Sequence, residues 1–379
     1  MDRIRLKDYE EDIFRCIRCG FCRAVCPVLQ VEDMNEIVGP RSFVLTGKGL
    51  ITHSLKPTSN IADRVYQCIE CGACDQKCPP GVRIEEIVRS TRTQLIESQI
   101  SPPKNIQTII DSIQRTGRLD TTQLTNKTRT VFEAPIERKA EVLYYIGCAA
   151  SQFERKQAQA MIKILQKAEI DFTILKGEEC CGLPLLIHGF RDLFNEQALQ
   201  NSKIFNHLNV STIVTTCPGC YRTFSQLYPD TDSTFTIEHS SEFISNLITN
   251  GQINLSKNIN KTITYHDPCD LSRHSNISDH PREILKKIPG AEFIEASKNK
   301  MEVQCCGAGG GFSLAYPEIA KKIGKQRLIS DVIPTGADIL VSSCPNCIHH
   351  FKDTIQNIKN EKRKKLEILD ITELVLQTL

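Results

Sequence analysis

Gln304–Ser313 reads QCCGAGGGFS, and the neighbouring thiols Cys305 and Cys306, set against a run of glycine and alanine, decide how the chain is read. Adjacent cysteines are hard to place in disulfides, because each bridge needs two Cα atoms and two Cβ vectors to meet. They suit an inorganic centre instead, where several thiolates crowd one small volume and the backbone keeps clear. A second Cys-Cys-Gly stands at Cys180, Cys181 and Gly182. The chain therefore reads as two metal-centre domains built on these boxes, with a relay leading to them.

Working outward from each box, the flanking sequence repeats. EVLYYIGC ends at Cys148, DFTIL precedes Cys180, and TIVTTCPGC delivers Cys217 and Cys220. TITYHDPC ends at Cys269, AEFIEAS precedes Cys305, and DILVSSCPNC supplies Cys344 and Cys347. Corresponding cysteines lie 121 to 127 residues apart, so a unit of this size has been duplicated. Short apolar runs alternate with helical patterns: Ala158, Met161, Ile162, Leu165 and Ala168 fall on one helical face. This predicts parallel α/β layers with ligands at the C-terminal tips of strands. FTIEHSSEFISNLI and LEILDITELVLQTL close the two units, each as a strand and a helix, the first helix read as Ser-capped. Five thiols per unit exceed what tetrahedral zinc requires, and also what one ordinary iron–sulfur cube needs.

Upstream stand CIRCGFCRAVCP and YQCIECGACDQKCPPG, both C-x2-C-x2-C-x3-C-P. This is the bacterial ferredoxin run, whose fourth cysteine ordinarily ligates the other cube. One [4Fe–4S] cubane is expected on Cys16, Cys19, Cys22 and Cys78, and the other on Cys68, Cys71, Cys74 and Cys26; zinc is the competing reading of four-cysteine runs. Pro27 and Pro79 are expected to stop the local helices. Residues 31–65, with VGPRSFVLTGKG, read as a loop-like insert, and 82–97 as a helix presenting Ile84, Ile87, Val88 and Leu95. The expected division is a helical two-cluster ferredoxin-like domain over 1–97, a linker over 98–140 with one weak helix near 105–115, and α/β units over 141–261 and 262–379.

Eight cysteines in the ferredoxin runs and ten in the two units account for all 18 in the 379-residue chain. None is left over for a separate dithiol pair or a lone nucleophile. Lys and Arg number 47 against 45 acidic residues, which argues against nucleic acid or an anionic membrane as the main partner. The basic run Lys362–Lys365 reads as a solvated loop or helix end. No apolar run is long enough for a membrane span, and MDRIRLKDYEEDIF is not a signal peptide, so a soluble, intracellular chain is the expectation.

The paired boxes CCGLP, CPGC, CCGAGGGF and CPNC resemble the CCG, or cysteine-rich, domain family. Behind a two-cubane ferredoxin domain they are similar, over essentially the whole chain, to the D-type iron–sulfur subunits of heterodisulfide reductases. The resemblance implies a non-cubane [4Fe–4S] cluster on Cys148, Cys180, Cys181, Cys217 and Cys220, and another on Cys269, Cys305, Cys306, Cys344 and Cys347. It implies a catalytic subunit that splits the coenzyme M–coenzyme B heterodisulfide (CoM-S-S-CoB) between the two clusters, with Gly309, Gly310 and Gly311 leaving space beside the second. Iron–sulfur subunits of glycolate or lactate oxidases share the layout and give the alternative, an electron conductor for a flavoprotein. His266 is the candidate proton donor, with His188 behind it; a histidine so placed also serves to tune a sulfur. His349 and His350 read as packing or surface residues, and Asp267 as a turn or cap residue. With no G-x-G-x-x-G after a strand and no P-loop, electrons are expected from another protein, which the resemblance implies is a membrane cytochrome b or a flavin-containing subunit. The chain would then sit on the cytoplasmic face of that partner.

Overall fold

The computed structural model describes residues 5–119, 132–228, 235–358 and 366–379; the run Lys362–Lys365 lies outside the described residues, as does most of the Thr-rich stretch after Leu119. Two four-stranded sheets carry the second half. The first comprises β1 (Val142–Tyr145), β2 (Phe172–Thr173), β3 (Thr212–Thr215) and β4 (Thr236–His239). The second comprises β5 (Thr262–His266), β6 (Glu292–Phe293), β7 (Ile339–Ser342) and β8 (Glu367–Asp370). All pairings are parallel, in the orders β2-β1-β3-β4 and β6-β5-β7-β8. Central strands such as Val142–Tyr145 are buried along their whole length, as expected where helices cover both faces of a parallel sheet.

Strand order reverses between β1 and β3, and between β5 and β7. In open α/β sheets the crevice at such a point, outside the strands' C-terminal ends, is where ligands bind. Cys148 and Cys217 follow β1 and β3 there, and Cys269 and Cys344 follow β5 and β7.

The two copies share one core. Helix Arg155–Lys167 of the first packs on the closing helix Ile371–Thr378 of the second, and Ser240–Thr249 packs on Asp279–Lys286 in the reciprocal arrangement. Met161, Ile162 and Leu165 thereby join Leu374 and Val375 in a single apolar cluster with Ile244, Leu247, Ile284 and Leu285. Both closing helices begin with reciprocal caps. Asp370 accepts from Thr372 N while Glu373 reaches back to Asp370 N. In the first copy the cap is His239, paired with Glu242, and not a serine.

The ferredoxin half is helical, and two expectations fail in it. Pro27 does not merely end a helix; it occupies the first turn of Pro27–Val31, where its missing N–H is not needed. Residues 40–51 are not a loop but a helix, Pro40–Ile51. Its Gly47 faces Ile87 and Ile13, so that a Cβ would sit 3.1 Å from Ile87 Cγ2; the glycine that reads as a breaker is there for close helix approach. Helix Ile84–Glu97 buries Ile84, Ile87, Val88 and Leu95 as expected, and also Arg89 and Arg92. Arg92 donates to the carbonyls of Val65, Cys68 and Ile187, tying this half to the first copy.

Candidate metal centres and cavity

Cys16, Cys19, Cys22 and Cys78 line one hollow, and Cys26, Cys68, Cys71 and Cys74 line a second. The fourth cysteine of each run thus lies with the other run's first three. In the first copy, thiols lie within hydrogen-bonding reach in the series Cys148, Cys180, Cys181, Cys220, Cys217. In the second the series is Cys269, Cys305, Cys306, Cys347, Cys344. None of the 18 is in a disulfide. Cys306 Sγ and Cys347 Sγ are 3.1 Å apart, well beyond the ~2.05 Å of a bond.

The donor chemistry fits iron–sulfur clusters. Soft sulfur donors converge in sets of four and five, and backbone amides aim at them. Gly182 N donates to Cys180 Sγ and Gly307 N to Cys305 Sγ, both at 3.4 Å, an identical contact in the two copies. Val82 N donates to Cys78 Sγ at 3.3 Å. Such donors favour anionic sulfur and tune a cluster's potential. Burial pushes the Cys22 thiol up to about 11 and Cys26 to about 12, so thiolates there require a bound cation's charge.

The four sets form a series. Cys22 lies within electrostatic reach of Cys26, and Cys344 of Cys217, while Cys71 and Cys305 are within hydrogen-bonding reach of one another. Cys19, the exposed cysteine among the described residues, marks the outer end. At the inner end, Cys148, Cys180, Cys181, Cys217 and Cys220 line a cavity of ≈ 250 Å³. Its facing wall comes from the second copy, through Ala308, Gly310, Gly311, Asn346 and His349.

The glycine run therefore stands between the copies, toward the first set of thiols rather than beside the second alone. A Cβ on Gly310 would overlap Ile187 Cδ1, and one on Gly311 would come 2.8 Å from Ile109 Cδ1. His188 packs behind this wall. Its Nε2 meets the Gly310 carbonyl at 3.0 Å, its ring stacks on Tyr66, and burial with the nearby Arg92 charge pushes its pKa down to about 3. His266 is buried against the second set, grouped with Cys306 and Cys347 within 4.8 Å, and does not border this cavity. Its Nδ1 accepts from Arg327 Nε at 3.4 Å, and burial lowers its pKa.

Three residues differ from their sequence reading or escape it. Asp267 is a buried ion-pair partner, holding Arg282 at 2.8 and 2.9 Å and accepting from Lys300 N. His349 borders the cavity, stacked 4.7 Å from Phe153 with Nδ1 3.6 Å from Glu154. Two positions after Cys347 on the helix opened by CPNC, it was findable as a wall residue. Glu85 was not: it joins all three units, at 2.7 Å from both Arg89 and Arg222 and 3.4 Å from His274, while Arg222 also holds Asp270.

Comparison with known proteins agrees with this geometry. The CCG cysteine-rich domain family matches residues 142–225 and 263–352, and the 4Fe-4S dicluster domain matches 12–82. The D-type subunit of dihydromethanophenazine:CoB–CoM heterodisulfide reductase from Methanosarcina acetivorans is 31% identical, over 96% of this chain and 93% of that protein. The chain belongs to the family of heterodisulfide reductase D-type subunits. Its members are iron–sulfur oxidoreductases with [4Fe–4S] clusters, and the family extends to differently named relatives. The B-type subunit of fumarate reductase (CoM/CoB) from Methanothermobacter marburgensis is 27% identical over 99% of this chain and 75% of that protein. The probable iron-sulfur-binding oxidoreductase FadF of Bacillus subtilis is 26% identical over 99% of this chain and 61% of that protein. A hypothetical protein from Helicobacter pylori shares the fold, at a TM-score of 0.60 and 10% identity over 98% of this chain and 71% of that one.

Proposed function

We propose that this member of the heterodisulfide reductase family reduces a disulfide in the cavity beside the first copy's thiols, with the CoM-S-S-CoB heterodisulfide as substrate. Two cubanes would be held by Cys16, Cys19, Cys22 and Cys78 and by Cys26, Cys68, Cys71 and Cys74. Two non-cubane clusters would be held by Cys148, Cys180, Cys181, Cys217 and Cys220 and by Cys269, Cys305, Cys306, Cys344 and Cys347. Bound clusters supply one-electron storage and transfer. The observation that carries the reading is the unbroken series of thiol sets from exposed Cys19 to the cavity wall.

The protein's own part is confinement and placement. Gly310 and Gly311 let the backbone close one wall tightly, because a Cβ at either would strike Ile187 or Ile109 behind it, and Leu119, Leu183, Leu314 and Pro317 make much of the lining apolar. Asn346 adds an amide at the same wall, beside Lys321, which pairs with Asp353 at 3.9 Å. Overall, the disulfide takes two electrons and two protons and leaves as two thiols.

Electrons come from a partner protein, either a membrane cytochrome b or a flavoprotein. Among the described residues no helix is long and apolar enough to cross a membrane. The second reading is conduction alone, in the manner of a glycolate or lactate oxidase iron–sulfur subunit; a relative named EtfAB:quinone oxidoreductase from Syntrophomonas wolfei, 26% identical, favours it. Anaerobic oxidation of reduced viologen by the iron-replete chain separates the two. Turnover with the heterodisulfide supports the first, and none with full iron leaves the second.

A further inference from the structure

Six arginines are buried among the described residues: Arg89, Arg92, Arg222, Arg273, Arg282 and Arg327. Five are matched by carboxylates, respectively Glu70, Glu85 and Glu86 for Arg89, Glu70 for Arg92, Glu85 and Asp270 for Arg222, Asp267 and Glu295 for Arg282, and Asp331 for Arg327. Arg273, 6% exposed, has no carboxylate within ion-pair distance among the described residues. An unmatched buried cation is strongly disfavoured, so something else must answer its charge.

Its surroundings say what. Nε donates to the Cys71 carbonyl at 2.7 Å, and Nη1 donates to the Val303 carbonyl, two residues before the Cys305 box. Nη2 is buried without any hydrogen-bond partner. The groups whose charge it feels are Cys71, Cys269, Cys305 and Cys74, drawn from the second ferredoxin set and the second CCG set. These sets meet at Cys71 and Cys305.

We infer that Arg273 is the positioning and potential-setting residue of the electron hand-off between the ferredoxin half and the second CCG copy, its guanidinium being the fixed counter-cation of the two anionic iron–sulfur centres it adjoins. This rests on the reading that these thiols hold clusters. The two carbonyl bonds fix the cation at the junction. Its charge stabilises whichever neighbouring centre has gained an electron, so it raises their reduction potentials without taking part in the chemistry.

The test is Arg273→Gln and Arg273→Lys in the full chain, with iron counted and midpoint potentials read by EPR-monitored reductive titration. Gln is expected to keep iron while lowering at least one midpoint by about tenfold in the reduction equilibrium, ~59 mV for a one-electron couple. Lys, keeping the charge, should stay within a third of that shift. Unchanged midpoints in Arg273→Gln at full iron overturn the inference and leave only a structural staple. If Arg273→Gln loses iron, Arg273→Lys decides: midpoints near wild type support a charge role, and midpoints lowered by tenfold or more overturn it. Absence of iron from the second ferredoxin and second CCG sets in the wild type would instead remove the cluster reading itself.

Discussion

Glu85→Gln should loosen the junction of the three units, and the structure sets the size of the effect. Glu85 is buried and its Oε1 lies 2.7 Å from both Arg89 and Arg222. Burial alone would raise its pKa, but His274, Arg222 and Arg89 outweigh that and hold it at about 2, against an ordinary 4.5. His274 is itself pushed down by burial and is neutral at pH 7, so the two arginines carry the attraction there. A carboxyl held that far down corresponds to ~3 kcal/mol at neutral pH, and less without the histidine. Removing one partner of a buried pair typically costs ~3–5 kcal/mol. A loss of ~2–3 kcal/mol is therefore expected, or about 30- to 150-fold in the folded ratio. Because the folded pKa is depressed, the contribution is present above about 4.5 and is lost as pH falls toward about 2. The deficit of Glu85→Gln should accordingly be constant from about pH 6 to 9. Anaerobic urea unfolding of the iron-replete proteins, followed by circular dichroism at several pH values, measures it. A deficit below ~1 kcal/mol, or one that disappears at the alkaline end, would refute the reasoning.

Three further outcomes are expected. Gly310→Ala combines a left-handed backbone (φ 62°) with a Cβ that overlaps Ile187, so it should destabilise by ~1–3 kcal/mol and slow heterodisulfide turnover at unchanged iron content, as thermal melts and viologen assays would report. Asp370 is pushed up to about 8 by burial, so it keeps its proton at neutral pH in the folded chain. A raised carboxyl stabilises fully below about 3.8 and loses that contribution as pH rises through about 8; Asp370→Asn should flatten the fall in urea midpoint between pH 6 and 9. Cys71→Ser should remove about four irons and stop electrons reaching the CCG copies, seen as loss of viologen-linked turnover together with the iron deficit.

What was legible in the sequence is what is local. Each ferredoxin run brings three of a centre's thiols within seven positions, the crossed fourth follows the pattern of such runs, and each CCG box sits after an apolar strand. The parallel sheets were legible because the central strands of each, Val142–Tyr145, Thr212–Thr215, Thr262–His266 and Ile339–Ser342, are short buried runs leading into a cysteine. Helix Pro40–Ile51 was not, because its proline and glycines read as breakers until Ile87 and Ile13 are seen against Gly47. Nor were Glu85 and Arg273. Glu85 meets Arg222 across 137 positions and Arg273 meets the Cys71 carbonyl across 202, and nothing near either residue announces the partner. The shared core of the two copies was hidden likewise: Met161 is an ordinary amphipathic-helix residue until Leu374 covers it.

The most direct test of four thiol-held centres in series is an anaerobic iron count joined to a reductive titration of the wild-type chain. Four four-iron clusters require about 16 irons and about four reducible one-electron centres, two of them with signatures distinct from cubanes. A chain that binds only about eight irons, all cubane, with zinc in the CCG copies, would contradict the account.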